Sequence, residues 1–256
     1  MPATLDAAHE KFLETFRRHS LQSQGIWPAP YDQDTPESLI RFLRECCWTY
    51  NESDKVTELI PDLPFIPWLA EHWWKARAEG SELLIQKSRR LVVSWTLTGC
   101  ELWLMGLRPA VGVVTGLNYK KAAEFIWRHD FMARELMKRR PEFTRLKPTA
   151  RDGGFGRGGN FAAYQTEECI LPNGSMVSML NQEGQSFQGS GYAWARMEEF
   201  CLYDHPGYMR GQAKIVTEGK AGSIGGFVVS VSNASPNEEW REIKNKLDAG
   251  ELLGIA

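Results

Sequence analysis

No stretch of the chain approaches the roughly 18 consecutive apolar residues that a membrane-spanning helix needs. The opening segment, Met1 to Ser20, is charged and amphipathic and lacks the apolar heart of a secretory signal, so no signal peptide is expected. Neither sign of charge dominates. Thirty lysines and arginines against 32 aspartates and glutamates leave a net charge of -2, which excludes a constitutive polyanion binder and confines any contact with nucleic acid to a local patch. The five cysteines, Cys46, Cys47, Cys100, Cys169 and Cys201, show no Cys-x-x-Cys spacing. That excludes a zinc ribbon and a disulfide framework, and points to a reducing cytoplasm.

What is there suits one main α/β core: 256 residues, 43% of them hydrophobic, with a helical extension in front. Leu5, Ala8, Phe12 and Phe16 recur at helical spacing, predicting an amphipathic helix over 3–19. Gln22 to Pro36, with Pro28, Pro30 and Gly25, reads as a linker. Thr35 as N-cap and Pro36 at the first helical position open a second helix expected to reach Tyr50. After a proline-rich turn from Ile60 to Pro67 comes a Trp-rich helix, PWLAEHWWKARAEG. Downstream, Trp95–Met105 reads as helix, Pro109–Gly116 as strand, and Asn118–Arg140 as a long helix capped by Asn118. This βαβ order predicts parallel strands with a ligand at their C-terminal ends. Asn173-Gly174, between Ile170-Leu171 and Met176–Leu180, is a strong hairpin signal.

Three apolar strands end in chemistry. In LLIQKSRRLVVSW, Leu83 to Trp95, a short strand runs into a basic, hydroxyl-bearing turn and then a helix, an arrangement in which backbone N–H groups and a lysine cradle a phosphate. The standard Gly-x-x-x-x-Gly-Lys-Ser/Thr pattern is absent, and taken alone the segment fits a solvated strand end as well. In GYAWARMEEFCLYD the adjacent carboxylates Glu198 and Glu199 follow an apolar run. Nucleotide hydrolysis needs such a pair, one carboxylate for Mg²⁺ and one to orient water. An exposed Glu-Glu turn opening a helix is the simpler account of that pair in isolation. Phe227 to Val231 is a β-branched strand closed by Ser232, Asn233, Ala234 and Ser235, polar groups able to sense a γ-phosphate or merely to make a turn. The glycine-rich run Arg151–Asn160 is not a phosphate cradle, because no apolar strand feeds it and no helix follows; a mobile surface loop is expected.

Together and in this order, the motifs resemble the ATPase domain of the tailed-bacteriophage large terminase, the motor that pumps DNA into a capsid. Some members of that family carry a deviant phosphate loop (Walker A), Lys-Ser-x-Arg-x-x-x-Ser, matched here by Lys87, Ser88, Arg89, Arg90, Leu91, Val92, Val93 and Ser94. The acidic (Walker B) pair maps onto Glu198 and Glu199, with Glu198 replacing the usual Asp and reaching further. The coupling motif resembles Ser230 to Ser235. The resemblance covers about Pro61 to Trp240 and implies a P-loop NTPase of the RecA/ASCE type: a three-layer sandwich with a central, mainly parallel sheet over 61–256, and 1–60 as helical extension and linker. Two features depart from the family. Most relatives keep a glycine near Val92, where a β-branched residue is costly if φ must be positive. Many have Arg-Gly shortly before the acidic strand, where this chain has Gln188-Gly189, so an arginine finger must come from elsewhere.

The resemblance further implies ATP and Mg²⁺ as ligands. Lys87, Ser88, Arg89, Arg90, Ser94 and Trp95 would bind nucleotide, with Phe65 and Trp68 stacking on the base unless they only pack their helix. Ser94 and Glu198 would hold the metal, Glu199 and Arg90 would act in catalysis, and Ser232 and Asn233 would couple hydrolysis to movement. The helix 118–140 and its exit are rich in Lys120, Lys121, Arg128, Arg134, Lys138, Arg139, Arg140, Arg145 and Lys147. These fit either a DNA-phosphate surface, for which Lys120, Lys121, Arg139 and Arg140 are the candidates, or a solvated face with its own ion pairs. Implied partners are double-stranded DNA, portal protein, small terminase and neighbouring copies in a ring, in the host cytoplasm and without a membrane. The stretch after Trp240 is too short for a nuclease domain, so no nuclease activity is expected. A helicase-like ATPase and a non-hydrolysing assembly module remain the alternatives, the missing glycine favouring the latter.

Overall fold

The computed structural model describes residues 25–51, 53–88, 92–143, 148–152, 166–180, 191–217, 226–233, 238–249 and 254–255. The expected helix 3–19, Arg89, Arg90, Arg145, Lys147, Gln188-Gly189 and the glycine-rich run beyond Asp152 lie outside them. In chain order the elements are α1 (Pro36–Cys46), β1 (Trp48–Asn51), β2 (Val56–Leu59), α2 (Phe65–Glu79), β3 (Glu82–Gln86), α3 (Val93–Leu107), β4 (Val111–Thr115) and α4 (Tyr119–Arg139). There follow β5 (Thr149–Asp152), β6 (Thr166–Ile170), β7 (Met176–Leu180), β8 (Trp194–Met197), α5 (Pro206–Thr217), β9 (Phe227–Ser232), α6 (Glu238–Asp248) and β10 (Gly254–Ile255).

The main sheet has eight strands in the order β10-β3-β9-β8-β4-β7-β6-β5. From β10 to β7 every neighbour is parallel, and β6 and β5 then add antiparallel at one edge. Strand alternation builds the two faces. Leu83, Ile85, Phe227, Val229, Val231 and Trp194 face a core shared with α1, α2, α3 and α4. Leu84, Val228, Ala195 and Met197 face a second core with Met209, Ala213 and Val216 of α5 and Trp240 and Ile243 of α6. The result is the expected three-layer α/β sandwich. β3 and β8 do not touch, because β9 runs between them. Parallel strands bring the ends of all three to one edge.

Local signals explain most of these elements. The Thr35 hydroxyl accepts the Ser38 amide at 3.2 Å, and the Asn118 side chain accepts the Lys121 amide at 3.0 Å, so both expected caps form. Gly80 closes α2 at φ 63, in the left-handed region that suits glycine. The β6–β7 hairpin is present but longer than a two-residue Asn-Gly turn. Ile170 pairs with Met176, and within the loop the Asn173 amide donates to Met105 O at 2.7 Å while Ser175 Oγ donates to the same oxygen at 2.6 Å. Those contacts satisfy a carbonyl in the last turn of α3, which otherwise lacks an intrahelical partner.

The structure changes two readings. The helix opened by Pro36 stops at Cys46, and Trp48–Asn51 pairs antiparallel with Val56–Leu59. The aromatic and β-branched residues Trp48, Thr49 and Tyr50 favour the strand, which packs on α4 through Tyr50 against Trp127 and Phe131. The described part of the Gln22–Pro36 segment is a buried strap rather than a free linker. Trp27 is 5% exposed and its indole donates to Trp103 O at 2.6 Å, while the Ile26 amide donates to Gly106 O. Apolar surface on Trp27 and Tyr31 outweighs the turn-forming prolines around them.

Register at the centre of the sheet depends on Gly112. It pairs with Trp194, and a Cβ there would lie 1.9 Å from the indole. The Gly112→Ala variant should lose roughly 1–3 kcal/mol in chemical denaturation, since a close-packed core resists added volume. An unchanged midpoint would mean that Trp194 is not fixed against the β4 backbone.

Candidate nucleotide and metal site

β3 delivers Lys87 to the C-terminal edge of the sheet, and the Lys87 amide donates to Ser232 O on β9 at 2.8 Å. α3 then begins at Val93, preceded by Val92 at φ -72, ψ 22. The cost foreseen for a β-branched residue here does not arise, because φ is negative. Among the described residues no side chain caps α3, an arrangement that suits an anion at its first-turn amides beside a lysine. Lys87 Nζ donates to Ser94 Oγ at 3.4 Å, and Ser94 Oγ donates to Glu198 Oε2 at 3.1 Å. Three of the predicted residues thus converge from β3, α3 and the end of β8.

Glu198 is fully buried, its backbone amide donating to Thr115 O at 3.1 Å. Its other oxygen, Oε1, is buried without a hydrogen bond among the described residues and lies 3.9 Å from Arg196 Nη1. A buried carboxylate with one free oxygen, a serine hydroxyl on the other and a lysine close by is a donor set that fits a hard cation carrying phosphate oxygens. Ser94 and Glu198 are the residues that would hold such an ion.

Glu199 follows Glu198 in a left-handed turn. Its backbone sits at φ 56, ψ 31, one of two non-glycine residues with positive φ among those described. Such a conformation costs a glutamate on the order of 1 kcal/mol or more and tends to be kept where function needs it. The turn continues into Cys201, whose amide donates to Ser232 Oγ at 3.0 Å, and Ser232 Oγ in turn donates to Asn233 O at 3.0 Å. The tip of β9 is therefore bonded both to the lysine loop and to the acidic turn. Asn233 Oδ1 and Gln86 Oε1 are buried at the same edge without hydrogen-bond partners among the described residues. Tyr203 closes the floor by a 2.6 Å bond with Thr115. Burial first, then the carboxylates of Glu198 and Glu199, pushes its phenol well above the usual range, so it stays neutral.

Other predicted residues fall elsewhere. Ser88 is exposed at the end of β3. Trp95 packs between helices, its ring 6.0 Å from Trp127 and 5.8 Å from Phe131, with the Arg128 guanidinium over it. At the start of α2, Phe65 packs on the core, while Trp73 and Leu69 carry the helix–sheet contact and Trp68 stays 41% exposed beside His72. The basic helix α4 is largely ion-paired within itself. Lys121 and Arg128 bind Glu124, Arg134 binds Asp130, and Lys138 and Arg139 bind Glu135. Arg139 also lies 4.1 Å over Trp48, and Arg140 holds Glu142, Tyr31 and the Glu45 carbonyl. Lys120 is exposed, with no ion-pair partner among the described residues.

Sequence reading missed a buried group of charges behind the site. Arg196, on the same face of β8 as Glu198, donates to Ser94 O at 3.2 Å and to Thr98 Oγ1, and its Nε lies 3.3 Å from Glu101 Oε1. Glu101 Oε2 meets His129 Nε2 at 2.8 Å, while His129 Nδ1 faces the Phe125 carbonyl at 2.9 Å. The available signal was charge inside apolar runs: Glu101 in TLTGCELWLM and Arg196 in YAWARM. If the Glu199 backbone is under strain, Glu199→Gly should hold or raise stability by up to about 1 kcal/mol. A fall of similar size in thermal or chemical denaturation would show that the side chain is a structural prop instead.

No protein-family model matches the sequence, and neither does any curated protein. Among solved structures, the large terminase of bacteriophage HK97 superposes with a TM-score of 0.60 at 13% identity, covering 86% of this chain and 43% of that one. The large terminase ATPase domain of Thermus phage P74-26 gives 0.44 at 9% identity, covering 64% of this chain and 63% of that one. The large terminase of the thermophilic bacteriophage D6E gives 0.45 at 12%, covering 76% and 44%. The chain spans less than half the length of the HK97 protein, and it has the fold of that bacteriophage large terminase.

Proposed function

We propose that this chain is the ATPase domain of a viral genome-packaging motor, hydrolysing Mg-ATP to move double-stranded DNA into a procapsid. The observation that carries the reading is the convergence of Lys87, Ser94 and Glu198, with Ser94 and Glu198 bonded across 104 residues of sequence at a buried strand edge. The fold likeness to a large terminase supports it. The negative φ of Val92 spares this β-branched residue the backbone cost that would have favoured a non-hydrolysing assembly module.

In this reading the Lys87 ammonium and the free amides opening α3 bind the phosphates, joined by Arg89 or Arg90. A bound Mg²⁺ would neutralise phosphate charge and fix its orientation. Ser94 and Glu198 would hold that ion, and Glu199 would accept a proton from water and align it for attack. Trp68 stacks on the base. Trp95 contributes through the packing of α3 on α4. The bonds from Ser232 to the Lys87 amide and the Cys201 amide let a shift of the phosphate loop or the acidic turn pull on β9 and Asn233. An arginine from an adjacent copy would complete the site and is worth on the order of 10³-fold in rate.

Portal protein, small terminase and a ring of copies on the capsid, in the host cytoplasm, are the partners and setting this reading implies. No helix among the described residues is long and apolar enough to cross a membrane. DNA contact falls most readily to the exposed Lys120 at the start of α4, since Lys121 is paired with Glu124 and Arg139 and Arg140 are engaged within the fold.

The test is Mg-dependent ATP turnover against protein concentration, with and without double-stranded DNA, for the natural chain and Glu199→Gln. Turnover should rise faster than linearly with concentration. The variant should bind ATP as the natural chain does while kcat drops by roughly 10²-fold or more. Retained turnover removes Glu199 from catalysis, and absent nucleotide binding in the natural chain overturns the proposal.

A further inference from the structure

Arg196 is 0% exposed in the middle of an otherwise apolar strand. An arginine there is costly to bury, and an aliphatic side chain would pack the sheet at no such cost. Its contacts are not scattered. Nη1 donates to the carbonyl of Ser94 at 3.2 Å and to Thr98 Oγ1 at 3.4 Å, and Nη2 donates to the same Thr98 oxygen at 3.3 Å. Thr98 Oγ1 itself donates to Ser94 O at 2.9 Å, so that carbonyl is held twice. On its other side the guanidinium stands 3.9 Å from Glu198 Oε1, the oxygen that has no hydrogen bond among the described residues. Glu101 balances the charge, and His129 on α4 fixes Glu101.

We propose that Arg196 is a positioning residue that sets Ser94 and Glu198 relative to each other for one divalent cation. The inference rests on the reading of these two residues as the metal-holding pair. Two features favour it. A strand repeats its faces every second residue, so Arg196 and Glu198 stand side by side toward α3. Glu198 also has a methylene more than an aspartate, hence an additional torsion to restrain, and the planar fork of a guanidinium supplies a fixed reference that a lysine lacks. Arg196 touches neither nucleotide nor reacting atoms; it acts through Ser94 and Glu198.

The experiment is calorimetric binding of ATP, with Mg²⁺ and with EDTA, to the natural chain, to the double variant Arg196→Met/Glu101→Gln and to Arg196→Lys. The double variant removes the guanidinium together with Glu101, the carboxylate nearest its Nε, so that carboxylate is not left buried alone. Metal-free affinity should stay within about twofold of the natural chain, while the gain in affinity on adding Mg²⁺ should shrink roughly tenfold, the usual scale for residues that orient metal ligands. Arg196→Lys keeps the charge and loses the fork, so it should show the same selective loss and serves if the double variant does not fold. A Mg²⁺ gain equal to that of the natural chain in either folded variant overturns the positioning role alone. No Mg²⁺ gain in the natural chain overturns the metal-site reading on which the role depends.

Discussion

The hydrogen bond from Ser94 to Glu198 can form only if two strands that do not touch keep a fixed separation. Adjacent strands lie roughly 4.8 Å apart, so β9 holds β3 and β8 about two such spacings from each other. Across that gap the turn after β3 and the start of α3 bring Ser94 over the end of β8. A one-residue slip of β8 would move Trp194, Arg196 and Glu198 to the opposite face together. The pairing of Trp194 with Gly112 on one side and Phe227 on the other resists such a slip. Geometry at the edge of the sheet is thus set by packing at its centre.

The same logic accounts for the charges behind the site. α3 is buried on nearly every side, wedged among α1, α2, α4 and the sheet. A helix so enclosed cannot shift without opening the core, which makes it a firm support for Ser94. Its one acid, Glu101, is met from two elements at once, by Arg196 of β8 and His129 of α4. Removing a single member would leave an uncompensated buried charge, so the group stands or falls as a unit. It ties the helix that opens with Ser94 to the strand that ends at Glu198.

Much of this was legible in the sequence because it is local. Apolar runs marked β3, β4, β8, β9 and the β6–β7 hairpin, Thr35 and Asn118 marked helix starts, and Lys87, Ser94 and Glu198 stood at strand and helix ends where chemistry gathers. The parallel strands followed from the βαβ order, and the three-layer sandwich from the family resemblance. What escaped depends on partners far apart in sequence. Trp48–Asn51 became a strand because α4 offers Trp127 and Phe131 to pack against, and the helix reading stopped short at Cys46 for that reason. Trp27 turned a proline-rich linker into part of the core by reaching Trp103. Arg196, Glu101 and His129 share no spacing that reveals them, only the oddity of a charge within an apolar run. Val92 shows the converse: a β-branched residue expected to be costly sits at a negative φ that it adopts without strain.

The central claim is that Lys87, Ser94 and Glu198 form one site for a phosphate-bearing ligand and a divalent cation. Electron paramagnetic resonance of Mn²⁺ as a Mg²⁺ substitute, with and without a non-hydrolysable ATP analogue, tests it on the natural chain and on Ser94→Ala. The account predicts tight uptake of one Mn²⁺ that depends on the analogue, and loss of that uptake in the variant. Uptake that ignores the analogue, or that survives intact in Ser94→Ala, would contradict it.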